Sequence, residues 1–201
     1  CDADWLDPRP VFEVLSHCDA VTTSTEALAE YIRKLVAIPV VCIPDRVDLE
    51  AYPKYKRKHE GKAKEVVWFG YHQNQTCLRK TLGHIERRNL RLTVVSDQPF
   101  NPHEMEKGKC EINNVKYDQS QINEEILKRD IVLLPEPEGI RGKYKSNNKT
   151  LSAMALGLPV AVEPKDLDRF SDPEERTKEG LKRRKEIEKD WNIAASVVQW
   201  K

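Results

Sequence analysis

From residue 65 onward, short apolar runs alternate with segments whose apolar residues have helical spacing. A short, continuously apolar run is typical of a strand that is buried on both faces, and such strands belong to parallel sheets. Strands that alternate with helices imply helices on both faces of the sheet. The sequence therefore predicts an α/β fold with a Rossmann-like parallel sheet of about five or six strands, including residues 66–69, 90–95, 112–115, 131–134 and 160–162.

The segments between the predicted strands carry helix start signals. Ser24 or Thr25 caps a helix that runs to Leu35, and two short strands, 20–23 and 40–43, flank that helix. Further helices are predicted over 75–88, after the cap residue Asp118 and, from dense and nearly balanced charges, over 172–190. The charged and proline-containing stretch between residues 44 and 61 predicts a surface linker.

The stretch 145–162 predicts a short amphipathic helix followed by a buried strand. Gly157 ends the helix, and Pro159 prevents it from continuing. The polar side chains that can cap its start are those of Ser146, Asn147 and Asn148.

Lys145 and Lys149 flank this helix start, where free N–H groups and the helix dipole attract an anion. The alternative interpretation is an ordinary helix whose first-turn lysines are solvated. The position of the helix after a buried strand favours the anion site, because ligands of open α/β sheets bind at the carboxyl ends of the strands.

Two loops are expected to meet the helix start at that edge of the sheet. The first follows the strand 66–69 and contains Gly70, Tyr71 and His72, where glycine permits a close approach of the backbone to a ligand. The alternative is a tight strand-to-helix turn, with His72 as a surface or capping residue. The second loop, P-E-P-E-G-I-R-G-K-Y, follows the strand 131–134 and contains Glu138, Arg141 and Lys143.

These groups together predict a phosphate-bearing ligand with hydroxyls. Cationic side chains neutralise phosphates, helix N–H groups bind one of them, and a carboxylate accepts hydrogen bonds from hydroxyls. The cations are Arg141, Lys143, Lys145 and Lys149, and the carboxylate is Glu138.

Several other functions are disfavoured by the sequence. The formal net charge of +1 argues against a general nucleic-acid binder, and no apolar run is long enough for a transmembrane segment. The motifs G-x-G-x-x-G, G-x-x-x-x-G-K-[ST] and G-x-S-x-G are absent, which weakens a dinucleotide oxidoreductase, an NTPase and a hydrolase. The histidines and cysteines lack metal-site spacing, so no metal is expected.

The five cysteines are scattered and odd in number, which favours a reducing, cytoplasmic setting. Cys18 and Cys42 are expected to be buried thiols. The sequence begins without Met and without a signal-peptide pattern, so we expect it to be a fragment of a longer protein.

Two separated motifs resemble those of the two-domain GT-B glycosyltransferases. C-D-A-V-T-T-S-T-E-A-L-A-E-Y-I-R-K-L, followed by V-V-C-I-P-D-R-V-D-L-E-A-Y, is similar to the crossover region of that family, which typically contains I-P-N-G-V-D. A-M-A-L-G-L-P-V resembles the E-A-x-A-x-G-x-P-V segment of its C-terminal domains, especially in family-4-like members. The resemblance spans about residues 19–162.

The resemblance implies the C-terminal half of a GT-B architecture, with most of the N-terminal domain missing. It implies transfer of a sugar from a nucleoside diphosphate sugar to a carbohydrate or other acceptor, without an obligatory metal or other cofactor. Gly70 and the helix start at 145–149 would bind the diphosphate. The implied divisions are the end of the N-terminal acceptor domain (1–44), an interdomain linker (45–64), a donor-binding domain (65–171) and a tail that crosses back to the N-terminal domain (172–201).

The sequence departs from the family pattern at the paired glutamates of many retaining members. The corresponding positions hold Tyr144 and Ser152, so Ser152 is the candidate for ribose binding and Glu138 the candidate catalytic residue. Two alternatives to a transferase therefore stay open. One is a non-catalytic GT-B-like binding or scaffold subunit, and the weaker one is a nucleotide-sugar epimerase.

Overall fold

A computed structural model of the chain describes residues 13–53, 58–103, 108–136 and 141–199. The strands are β1 (Val21–Thr23), β2 (Val40–Cys42), β3 (Glu65–Phe69), β4 (Arg91–Ser96), β5 (Ile112–Lys116), β6 (Ile131–Leu133) and β7 (Val160–Ala161). The α-helices are α1 (Glu26–Arg33), α2 (Leu82–Glu86), α3 (Ile122–Leu127), α4 (Arg141–Tyr144), α5 (Asn148–Ala155), α6 (Pro164–Arg169), α7 (Pro173–Asp190) and α8 (Ala194–Gln199). Within the described ranges, 3-10 helices cover Leu49–Ala51 and His72–Thr81.

The main sheet has five parallel strands in the order β5-β4-β3-β6-β7, and β1 and β2 form a separate parallel pair. The predicted α/β fold with a Rossmann-like parallel sheet is therefore confirmed. Strands β4 and β5 lie on one side of β3, whereas β6 and β7, which follow them in sequence, lie on the other side. In open α/β sheets, ligands bind beyond the carboxyl ends of the strands at such a reversal, which here lies between β3 and β6.

Alternate side chains of the central strands enter two different cores. Val66 and Trp68 belong to one core, under the 3-10 helix, α2 and α6, whereas Val67 and Phe69 face the other core, under α3 and α5. Because both faces are covered, these strands are apolar throughout, which is why the apolar runs in the sequence predict them well.

The structure differs from the predicted helix over 75–88 and from the predicted start of α3. Within 75–88 the chain forms a 3-10 helix and then α2, because Cys77 Sγ and Thr81 Oγ1 bond to carbonyls three residues earlier, at 3.1 and 2.7 Å. Asp118 does not cap α3, since its side chain accepts from Ser120 N at 2.8 Å in the turn before that helix.

The cap of α5 also differs from the expectation. Asn147 occupies the N-cap position, but its side chain makes no capping hydrogen bond. The predicted cap of α1 is confirmed, because Leu28 N donates to Thr25 Oγ1 at 3.3 Å, whereas the helix ends at Arg33 rather than at Leu35. Helix α6, with Pro164 at its start, was not predicted from the sequence.

The prediction that Cys18 and Cys42 are buried was wrong. Cys18 and Cys42 are only half-buried, because β1 and β2 form a small two-stranded sheet rather than a covered one, whereas Cys77 and Cys110 are buried. All four are free thiols in the part of the chain that the structure describes.

The end of the chain returns to the segment that follows β2. Val47 N donates to Trp191 O, and Ile193 N donates to Val47 O, both at 3.0 Å. Trp191 also packs against the apolar cluster between α5 and α7 that contains Leu151 and Ile187. Residues 200–201 of the predicted tail lie outside the described residues, and the domain boundaries stay predictions.

Candidate functional site

The candidate site lies at the carboxyl ends of β3 and β6, where the strand order reverses. Gly70 directly follows β3, and its N–H donates to Val95 O at 3.1 Å, which continues the pairing with β4. Helix α5 follows the loop after β6 and covers the same part of the sheet through Ala153 and Leu156. Two predicted parts of the site, the turn after β3 and the start of α5, thus come together.

Lys149 is the side chain that joins these two parts. A Cβ atom at residue 70 would overlap Lys149 Nζ and lie 2.9 Å from Lys149 Cε. Gly70 also has φ 151°, which a residue with a side chain rarely adopts. The backbone conformation at this position therefore requires glycine, and the end of the flexible Lys149 side chain fills the space beside it.

The ammonium group of Lys149 lies over an aromatic ring of the core. Its Nζ is 4.6 Å from the centroid of the Trp68 ring, a cation–π contact. Burial raises the pKa of the nearby Cys77 thiol, and the charges of Lys149 and Lys145 oppose that rise. The charges of both predicted lysines are therefore felt by the same side chain in the 3-10 helix that follows β3.

Lys145 reaches the turn after β3 from the other side of the helix start. Its Nζ donates to Asn74 Oδ1 at 2.6 Å, and Asn74 N in turn donates to Tyr71 O at 2.9 Å. The two lysines thus place positive charge along the turn that contains Gly70. This arrangement can bind an anion with its negative groups spread over more than one oxygen.

The residues just before Lys145 face the small β1–α1–β2 unit. Thr25 Oγ1 donates to Tyr144 O at 3.3 Å, and the Tyr31 and Tyr144 rings have centroids 5.6 Å apart. Lys143 Nζ lies 6.0 Å from the Tyr144 ring centroid. Lys143 is therefore directed to Tyr144 in this structure rather than to Gly70.

The other predicted site residues are placed as follows. Ser146 is half-buried, and Asn147 and Asn148 are exposed at the start of α5. The backbone of Arg141 begins α4, and Glu138 lies outside the described residues. Their roles in binding or catalysis stay predictions.

Ser152, the predicted ribose-binding candidate, hydrogen-bonds to a residue of the segment that precedes the sheet. Tyr52 OH lies 3.2 Å from Ser152 Oγ, although the two residues are 100 positions apart. The tyrosine also packs against the apolar clusters under α5. The hydroxyl of Ser152 is thus held by a neighbouring tyrosine.

A histidine–aspartate pair at the same edge was not predicted from the sequence. Asp97, which follows β4, accepts from His72 N at 2.8 Å and from the ring, with His72 Nδ1 2.6 Å from Asp97 Oδ2. These bonds, first the one from the His72 side chain, lower the pKa of Asp97 to about 2. Asp97 directly follows β4, whereas His72 lies three residues after the end of the neighbouring β3, and no sequence motif links the two residues.

Two exposed tyrosines follow strands at this edge. Tyr71 after β3 is 68% exposed, and Tyr117 after β5 is 41% exposed. Partial burial raises the pKa of Tyr117, and the proximity of Tyr71 adds to that rise. An aromatic ring of a ligand could stack on such side chains, since they present an apolar face and a polar tip.

The described residues contain no group of three or more His, Cys, Asp or Glu side chains suited to a metal ion. None of the helices within the described ranges is both long and apolar enough to cross a membrane. The chemistry that the described edge offers is thus anion binding, together with hydrogen bonding by His72, Asn74 and tyrosine hydroxyls.

Comparison with known proteins shows a likeness in fold. No protein-family profile matches the sequence, and no curated protein matches it. The Glycosylation Associate Protein (Gap123) complex from Streptococcus agalactiae is similar with a TM-score of 0.50 and 11% identity, over 94% of this chain and 45% of that one. The glycosyltransferase SnogD from Streptomyces nogalater gives a TM-score of 0.41 and 13% identity, over 86% of this chain and 60% of that one. This chain therefore spans less than two thirds of either structure, and the likeness concerns the fold alone.

Proposed function

We propose that this chain is the donor-binding part of a glycosyltransferase and binds the diphosphate of a nucleoside diphosphate sugar. The observation that carries the proposal is the convergence of Lys145 and Lys149 on the turn after β3, at the point where the strand order reverses. Anionic ligands bind at this position in open α/β sheets because helix N–H groups and strand ends converge there. The GT-B-like motifs and the fold of the main sheet support the proposal.

In the proposed complex, Gly70 lets the backbone approach the diphosphate, and Lys149 and Lys145 neutralise its charge. Lys149 is held close to Gly70, whereas Lys145 is exposed and bonded to Asn74, so we assign the larger contribution to Lys149. Tyr71, which is 68% exposed, offers its ring to the base.

The proposed reaction transfers the sugar from the diphosphate to an acceptor hydroxyl. The bond from the acceptor oxygen to the anomeric carbon forms, the bond from that carbon to the phosphate oxygen breaks, and the diphosphate leaves with the electron pair. The acceptor proton passes to a base. Lysine charges at the diphosphate stabilise the leaving group without an obligatory metal.

A second candidate function is a non-catalytic subunit that retains the fold for binding. The observation that favours it is the Tyr52–Ser152 hydrogen bond at the position where the family resemblance implies a glutamate. Tyr144, at the position of the other glutamate, packs on Tyr31. The similarity in fold to the Glycosylation Associate Protein (Gap123) complex is compatible with such a role.

Calorimetric titration with ADP, GDP, UDP, CDP and dTDP tests the proposal. We expect one of them to bind, and we expect Lys149→Ala to weaken it about ten- to a hundredfold, since a charge-assisted hydrogen bond contributes about 1.5–3 kcal/mol. Lys145→Ala is expected to have a smaller effect. Lys178→Ala, on the exposed face of α7, is the matched control and should leave the affinity unchanged.

Absence of binding for all five nucleotides would overturn the proposal. Turnover separates the two candidate functions, provided that binding is observed. Release of free sugar or its transfer from the corresponding nucleotide sugar supports the enzyme, whereas tight binding without either reaction supports the binding subunit.

A further inference from the structure

Asp97 occupies a position where Rossmann-like folds often place an acidic residue that binds ribose hydroxyls. It follows β4, the strand next to β3 in the sheet, and a glycine turn follows β3. In this chain, however, both oxygens of the carboxylate are engaged within the protein. Oδ1 accepts from His72 N at 2.8 Å and from Ser96 Oγ at 3.1 Å, and Oδ2 lies 2.6 Å from His72 Nδ1.

These bonds fix the orientation of the imidazole ring. A carboxylate only accepts hydrogen bonds, so the ring nitrogen that faces it, Nδ1, carries the proton. In the neutral ring the proton on Nδ1 leaves Nε2 as the acceptor. The backbone N–H of His72 donates to the same carboxylate, so Asp97 holds both the turn and the Nδ1 side of the ring.

The ring stands beside the candidate diphosphate site. His72 is two positions from Gly70, in the turn that Lys145 also contacts through Asn74. The side chain of His72 is 35% exposed, so it is open to a ligand while it remains bonded to Asp97.

We propose that His72, oriented by Asp97, accepts a hydrogen bond from a ribose hydroxyl of the bound nucleotide through Nε2. This inference rests on the proposed function, because it assigns the ribose of the same nucleoside diphosphate to this side of the site. It also explains why the recognition of ribose does not require a carboxylate at residue 152. The aspartate thus acts through the histidine, as a positioning residue.

The test compares each binding nucleoside diphosphate with its 2′-deoxy and 3′-deoxy counterparts by calorimetry, and uses inorganic pyrophosphate as a probe that has no ribose. We expect the wild-type chain to prefer the ribonucleotide over one deoxy analogue about five- to tenfold, the range of a single hydrogen bond. His72→Phe should reduce this ratio to about one and leave the affinity for pyrophosphate unchanged.

Asp97→Asn is the second variant and keeps the histidine. An asparagine amide can donate to Nδ1 and favour the tautomer with the proton on Nε2, which no longer accepts from the ribose hydroxyl, so the ratio should change and ring ¹⁵N shifts in the variant should report the new tautomer. A ribonucleotide that binds with the same ratio in wild type, His72→Phe and Asp97→Asn overturns the inference and leaves the proposed function standing. Failure of every nucleoside diphosphate to bind overturns the proposed function and this inference with it.

Discussion

Replacement of Gly180 by alanine should destabilise the chain, although alanine is the better helix former. Gly180 lies in α7 at the point where that helix crosses the end of α5. A Cβ atom at this position would overlap the carbonyl oxygen of Gly157 and lie 3.0 Å from its carbonyl carbon. Ordinary contacts of a Cβ atom begin at 3.4 Å, and both obstructing atoms belong to the backbone, so no side-chain rotation can relieve the overlap.

The expected loss of stability is the difference between two opposing effects. Overpacking of a close contact costs about 1–3 kcal/mol when backbone must shift. Alanine gains about 1 kcal/mol over glycine in a helix interior. Because the atoms in the way are backbone atoms, the cost should lie in the upper part of that range, about 2–3 kcal/mol, so we expect the free energy of unfolding to fall by about 1–2 kcal/mol. For a chain of this size, 1 kcal/mol corresponds to about 2–4 °C, so Tm should fall by about 2–8 °C.

Thermal unfolding followed by circular dichroism, with urea unfolding in parallel, measures the effect. Gly83→Ala is the matched control, because Gly83 lies in α2 and an added Cβ atom meets nothing within 4 Å. That substitution should raise stability by about 0.4–1 kcal/mol. Equal stability of Gly180→Ala and Gly83→Ala would refute this expectation, because both substitutions gain helix propensity and the Cβ atom at residue 180 would then cost nothing.

Three further predictions concern single groups. Folding lowers the pKa of Asp97 from 3.8 to about 2, so the stabilising effect of its ionised carboxylate should be complete above about pH 5 and lost as the pH falls through 2. The difference in Tm between wild type and Asp97→Asn should therefore shrink from pH 5 to pH 2. A constant difference would contradict this expectation. Arg176 is buried and donates to the carbonyls of Phe170, Ser171 and Gly61 at 2.7–2.9 Å. Arg176→Met should therefore lower the free energy of unfolding, measured in urea, by about 3–5 kcal/mol, whereas the control Arg87→Met, at an exposed position, should change it little. Gly70→Ala should lose about 1–3 kcal/mol and displace Lys149, so calorimetry should show weaker nucleotide binding; unchanged affinity would exclude a close role for this turn.

The strands of the main sheet could be predicted because they are buried on both faces and therefore apolar throughout. The helix type of residues 72–81 is harder to predict from the sequence, since a 3-10 helix and an α-helix bury nearly the same positions. What decides between them is bonds such as that from Thr81 Oγ1 to Leu78 O, which apolar periodicity does not record.

The site could be predicted only at the level of its loops. Parallel topology brings strand ends to one edge, so the proximity of Gly70 and the lysine-flanked helix follows from the order of elements. Which side chains meet there is decided over long separations. Tyr52 and Ser152 are 100 positions apart, and the His72–Asp97 pair joins two loops, so neither pair leaves a pattern in the sequence.

The contacts at this edge of the sheet bear differently on ligand binding and on catalysis. In the part of the edge that the structure describes, the carboxylate of Asp97 is turned to His72, and the hydroxyl of Ser152 is bonded to Tyr52, whereas Lys149 lies against Gly70. Under the proposed function, the positive charge binds the diphosphate and the hydrogen-bond acceptors bind the ribose. Transfer requires in addition a base for the acceptor hydroxyl, so loss of Lys149 should weaken binding and turnover together, whereas loss of a base should reduce turnover alone.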